Sequence, residues 1–93
     1  MRYVLLGHLS ADWATKQKQR VAKAKAKAKQ LKIKIESVNY TQGKYDFVDL
    51  VDAPTPEAML AFSVWYAKAG LGRIMSMPAY DDAAMQKAVK KAG

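Results

Sequence analysis

The chain reads as an α+β protein of ferredoxin-like order, β-α-β-β-α-β with a trailing helix, and three observations carry that reading. Four short runs rich in β-branched, aromatic and aliphatic residues fall at 3–9, 32–40, 45–51 and 73–79. Two of them are separated only by a Gly43-Lys44 turn, which suits an antiparallel hairpin. The other gaps hold helix-length segments with recognisable start or stop residues. The whole chain, 1–93, fits one domain of this type, with a four-stranded antiparallel sheet and the helices on one face.

The opening run, Tyr3-Val-Leu-Leu-Gly-His-Leu, is apolar on both parities. Tyr3, Leu5 and Leu9 share one face and Val4 and Leu6 the other, so both faces should be covered. Ser10 or Asp12 is positioned to cap a helix starting near Trp13, because either side chain can accept from a free N–H of a first turn. The Ala-Lys repeat that follows alternates with period two, yet Ala and Lys form helices far better than strands. As a helix it puts Trp13, Val21, Ala24, Ala28 and Leu31 on one stripe and most lysines on the remaining arc. In 32–40, Ile33 and Ile35 share one parity and Val38 and Tyr40 the other, a change of phase that predicts a β-bulge near Glu36-Ser37. The third strand, 45–51, ends at Ala53-Pro54. Thr55 then caps a second helix with Pro56 in its first turn and Glu57 at the positive end of its dipole. Ala58, Phe62, Trp65 and Ala69 would line its packed face, while Leu60 and Val64 lie nearly opposite. Gly70 and Gly72 end it. The fourth strand contains Pro78 and therefore belongs at a sheet edge. Asp81 and Asp82 open a last helix with Ala84, Met85, Ala88 and Val89 on one stripe.

Helices on one face leave the other face open, and strands apolar on both sides would expose a large patch there. Sheet-to-sheet homodimerisation removes it, and a cavity between sheet and helices is the natural place for a small ligand. Leu60 and Val64 offer a further surface for a larger homo-oligomer.

The absence of Cys excludes disulfides and thiolate chemistry, and a single His makes a zinc site within one chain an unfavoured reading, so no metal is expected. No apolar run nears the roughly 20 residues of a membrane span, and the start lacks a signal-peptide pattern, so a cytoplasmic location is expected. The formal charge of +8 is concentrated between Trp13 and Ile35, where no acid interrupts Lys16, Lys18, Arg20, Lys23, Lys25, Lys27, Lys29, Lys32 and Lys34. Nucleic-acid binding through Lys16, Arg20, Lys23 and Lys27 is the alternative this raises. Only Trp13 could stack beside that charge, so a solvated helix face is the favoured reading.

The segment Gly43-Lys44-Tyr45-Asp46, followed by Val48, Val51, Asp52, Ala53 and Pro54, resembles the signature of the GYD-domain family. Weaker similarity extends through Tyr3-Val4, Tyr40 and the Gly-rich turn before Arg73. The resemblance implies a dimeric α+β barrel and a homodimer, without a defined activity or cofactor. Barrels of this type include monooxygenases, muconolactone-type isomerases and effector-binding modules, so the fold does not select one. Two features depart from the resemblance: Asp49 stands where a small or apolar residue is expected, and the Ala-Lys helix is unusually basic.

Five residues are the candidates for a small-molecule site. His8 has the side chain suited to acid–base work near neutral pH, unless it is simply structural. Asp49, flanked by Phe47 and Val51, would have a raised pKa if buried unpaired, and with His8 forms the candidate catalytic set. Tyr40 and Tyr45 could bind an oxygen of a ligand, and Arg73 a carboxylate or phosphate. Tyr45 and Asp46, on opposite faces of a strand, cannot readily serve one site, and both also fit a purely structural role beside the turn. Binding or transformation of a small apolar or oxygenated molecule is the expected function.

Overall fold

The computed structural model describes residues 1–93. Its elements are β1 (Arg2–Leu9), α1 (Gln17–Gln30), β2 (Lys34–Tyr40), β3 (Phe47–Asp52), α2 (Pro56–Lys68), β4 (Gly72–Pro78) and α3 (Asp82–Ala92). The strands form one antiparallel sheet in the order β2-β3-β1-β4. This is the expected ferredoxin-like arrangement, with Pro78 ending an edge strand where no inner ladder needs its missing N–H. The phase change in β2 is a register shift: Ile35 faces Val51 and Ser37 faces Leu50, leaving Glu36 as the extra residue.

One face of the sheet is covered by α1 and α2. Tyr3 and Leu5 of β1 and Phe47 and Val51 of β3 meet Ala28 of α1 and Met59, Phe62 and Tyr66 of α2 in a single buried cluster. The small Ala24 and Ala28 let α1 approach closely. Gly7 faces Phe47 across the ladder, and a Cβ at that position would stand 1.9 Å from the ring. The Phe47 ring therefore lies over β1 in space that only glycine leaves free. At the end of α2 the N–H groups of Gly70 and Leu71 donate to the carbonyls of Ala67 (3.0 Å) and Tyr66 (3.1 Å), with Gly70 at φ 73°. Such a left-handed cap turns the chain at once into β4.

Several local expectations are corrected. The helix does not begin at Trp13: residues 13–15 form one 3-10 turn, and α1 starts at Gln17 with no side-chain cap. Asp12 is occupied elsewhere, accepting from Ser10 Oγ at 2.8 Å and pairing with Lys16 Nζ at 2.7 Å. Trp13 consequently leaves the packed stripe and is exposed. Arg20 takes a place on that stripe and is one of the most buried residues, 4% exposed. In α2 the packed face is rotated toward Met59, Phe62 and Tyr66, with Ala58 and Trp65 only partly buried. Leu60 and Val64 are exposed as expected. β3 begins at Phe47, so Tyr45 and Asp46 belong to the turn before it.

α3 is capped as the sequence indicates, Asp81 Oδ1 accepting from the Ala84 N–H at 2.8 Å. None of its residues is buried, and it forms no extensive contact with another element. The molecule is correspondingly long, 52 × 30 × 19 Å. None of its helices is long and apolar enough to cross a membrane.

Candidate functional site

Between the sheet and the two covering helices lies a cavity of about 230 Å³. Its walls are overwhelmingly apolar: Ile35 and Val38 of β2, Phe47 and Val51 of β3, Phe62 of α2 and Ile74 of β4. Into this shell project a few polar groups, namely Arg20 and Lys25 from α1, Tyr40 from β2, Asp49 from β3 and Tyr66 from α2. Alternation along β3 puts Asp49 between Phe47 and Val51 on the helix-facing side, as the sequence implies.

Arg20 reaches toward Tyr40. Its Nη2 donates to the Tyr40 hydroxyl at 3.3 Å, its guanidinium carbon lies 5.8 Å from the ring centroid, and Gln17 Nε2 donates to the same hydroxyl at 3.2 Å. Arg20 Nη1, by contrast, is buried without a hydrogen-bond partner, and so is Asp49 Oδ1. No ion pair joins the two residues. Buried polar atoms are nearly always paired, and leaving one unpaired costs about 1–3 kcal/mol, so two of them lining one cavity mark places where a bound group would be satisfied.

The electrostatics follow from burial. Desolvation pushes the Asp49 carboxyl up to about 6, against the opposing pull of the Asn39 backbone and the Arg20 charge. Asp49 therefore takes up and releases a proton near neutrality. Desolvation likewise pushes the Tyr66 phenol up to about 12, with Arg20 lowering it and Asp49 and Tyr40 raising it. Tyr66 thus stays a neutral donor at physiological pH. Lys25 is solvent-exposed and adds positive charge to the lining.

The structure divides the sequence-derived candidates between the two faces of the sheet. Asp49 and Tyr40 line the cavity. His8 and Arg73 face each other across β1 and β4 on the opposite, open face, where both are exposed. Tyr45 joins them, its ring centroid 5.0 Å from that of His8, with Lys44 Nζ 5.7 Å from the Tyr45 ring. The proposed catalytic pairing of His8 with Asp49 is therefore not formed: the two project to opposite sides because they sit at opposite parities of paired strands. Asp46 is structural. Its Oδ2 accepts from the Leu9 N–H at 2.7 Å, and its own N–H donates to the Gly7 carbonyl at 2.8 Å, tying the turn to the end of β1. For the alternative basic face, Arg20 is buried, whereas Lys16, Lys23 and Lys27 remain on the surface or half-buried, Lys16 beside Asp12.

Sequence reasoning missed Arg20 and Tyr66 as cavity residues. A signal for each was present: Arg20 precedes Ala24 and Ala28 at intervals of four, and Tyr66 follows Phe62 by four, placing both on the packed stripes. Within the basic run Arg20 reads as a phosphate contact beside the lysines, a reading its burial overrides.

The GYD domain model matches residues 3–89. Among solved structures, the chain is similar to the 5-chloro-2-hydroxyhydroquinone dehydrochlorinase TftG from Burkholderia phenoliruptrix AC1100, determined in complex with 2,5-dihydroxybenzoquinone. The two are 16% identical, the match covers 90% of this chain and 98% of that chain, and the TM-score is 0.62. At that identity the likeness is one of fold. A search of curated proteins returns no match.

Proposed function

The chain belongs to the GYD-domain family, and from its cavity we propose that it binds, and transfers a proton on, a single-ring oxygenated molecule. The carrying observation is the presence of two unpartnered buried polar atoms of opposite character, Arg20 Nη1 and Asp49 Oδ1, in one apolar cavity. A volume of about 230 Å³ exceeds the ~150 Å³ that admits benzene and falls below the ~300 Å³ at which drug-sized pockets begin. A carbonyl or phenolate oxygen would accept from Arg20, and a hydroxyl of the same ring would donate to Asp49. The dihydroxyquinone bound by the dehydrochlorinase of the same fold has this size and oxygen pattern.

With a pKa of about 6, Asp49 accepts a proton from an acidic C–H or O–H of the ligand and returns it to another atom of the ring. Arg20 holds the oxygen on which negative charge develops, and Tyr66 donates as a neutral phenol. A proton moved in this way needs no external oxidant or reductant. His8, Tyr45 and Arg73 have no part in this cavity.

The active unit is a homodimer joined through the open sheet faces. Val4, Leu6, Val48, Leu50, Met75 and Met77 form adjacent rows there, the methionines substantially exposed. Covering a patch of this kind is what dimerisation accomplishes.

Titration of 2,5-dihydroxybenzoquinone and catechol into the protein, followed by calorimetry, tests the reading. Saturable binding that weakens at least tenfold in Arg20→Met and in Asp49→Asn is expected. No binding of either ring compound to folded protein, or binding indifferent to both substitutions, would overturn it.

A further inference from the structure

α3 is a two-sided helix with no buried residue, and the large side chains on its apolar side are exposed. Ala84, Met85, Ala88 and Val89 lie along one arc, and Lys87, Lys90 and Lys91 occupy the other. Met85 is 57% and Val89 65% exposed, and Tyr80, just before the helix, is 70% exposed. A second apolar stripe without a partner runs along α2, where Leu60 and Val64 are 65% and 50% exposed. Both stripes have two large residues spaced by four, so the same one-turn repeat on each helix can interlock.

The charges at the ends of the stripes decide the direction. Glu57 and Lys68 stand on the exposed arc of α2, one at each end, while α3 begins with Asp81 and Asp82 and ends with Lys90 and Lys91. In an antiparallel pairing with Val89 over Leu60 and Met85 over Val64, Lys68 meets Asp81 and Asp82, and Glu57 meets Lys90 and Lys91. In a parallel pairing, Glu57 would meet Asp82 and Lys68 would meet the terminal lysines. Opposite charges would be replaced by like charges at both ends.

The chain's own geometry supplies only the wrong direction. The tight Gly70 turn makes β4 run back against α2, and three residues, 79–81, link β4 to α3. An α3 folded back over its own molecule would lie parallel to its own α2. We propose that α3 of one copy packs antiparallel across the exposed side of α2 of a second copy of this chain. The contact joins subunits by a surface separate from the open sheet face and does not depend on what the cavity binds.

The absence of cysteine makes the test clean. Leu60→Cys and Val89→Cys, carried on separate full-length chains and co-expressed, are expected to oxidise to a disulfide-linked heterodimer as the main product. Leu60→Cys with Met85→Cys, which would meet only in the parallel register, should yield at least tenfold less. Equal or better cross-linking of 60 with 85 overturns the proposal. So does failure of both pairs while the variants retain native circular dichroism, or closure of the 60–89 disulfide within a single chain carrying both cysteines. Because every substituted side chain is more than half exposed, none of the variants disturbs the core.

Discussion

The two faces of the sheet carry similar numbers of apolar side chains yet have reached different ends. On the helix-covered face, Tyr3, Leu5, Phe47 and Val51 are buried by elements of the same chain, and the one carboxylate among them is desolvated. On the open face, Val4, Leu6, Val48 and Leu50 remain half-buried and Met75 and Met77 exposed, with His8 and Arg73 in free solvent. What separates them is the covering. Removal of water raises the Asp49 pKa on the covered face, whereas the open face keeps its apolar rows and its cations in contact with solvent.

The largest expected effect comes from crowding the covered face. Gly7→Ala places a methyl against the Phe47 ring, and overpacking of this severity costs about 3 kcal/mol or more, read as a lower urea midpoint. An unchanged midpoint would mean that the covered face is loosely packed. Leu6→Lys on the open face should leave the fold of each subunit intact but weaken the dimer at least a hundredfold, measured by analytical ultracentrifugation. If association is unaffected, the open face is not the dimer surface.

Asp49→Asn sharpens the contrast through pH. The folded-state pKa of Asp49 lies above its unfolded value, so the native state holds the extra proton between roughly pH 4 and pH 6. Stability contributed by the protonated form is full below the unfolded pKa and is lost as pH rises through about 6. Replacing the carboxyl by an amide should therefore raise stability at pH 7. A rise from 3.8 to about 6 corresponds to about 3 kcal/mol, which solvent screening at a half-buried site reduces to about 1–2 kcal/mol. The gain should vanish near pH 4 in thermal melts at the two pH values. A gain equal at both would assign the effect to packing. The smallest effect belongs to Arg73→Ala, an exposed residue with no ion pair. It should change monomer stability by less than about 0.5 kcal/mol and leave ring-compound affinity unaltered. A tenfold loss of affinity would link the two faces functionally.

The element order, the bulge at Glu36, the Thr55 and Asp81 caps and the edge position of β4 were all legible, because each follows from local residue chemistry or strand parity. The start of α1 was not, since two plausible caps, Ser10 and Asp12, bond to each other and to Lys16 rather than to a helix N-terminus. Within the site, Asp49 stood out as a carboxylate in an apolar strand. Arg20 did not, because its place on the packed stripe was outweighed by its charge, and its partner there, Tyr40, comes from β2. His8 was drawn toward Asp49 by chemistry alone, and strand parity separates them.

The sequence by itself determined the fold class, the turn and strand around 43–54 and the family to which the chain belongs. These are set by residues adjacent along the chain, where propensity, alternation and capping act directly. Only the tertiary structure decided that Arg20 turns inward while its lysine neighbours turn out, that Asp49 faces an apolar cavity, and that α3 stands unpartnered. Burial is a property of what arrives from distant parts of the chain. Desolvation, the physical origin of the raised Asp49 pKa, therefore appears only once the sheet and helices have closed around that residue.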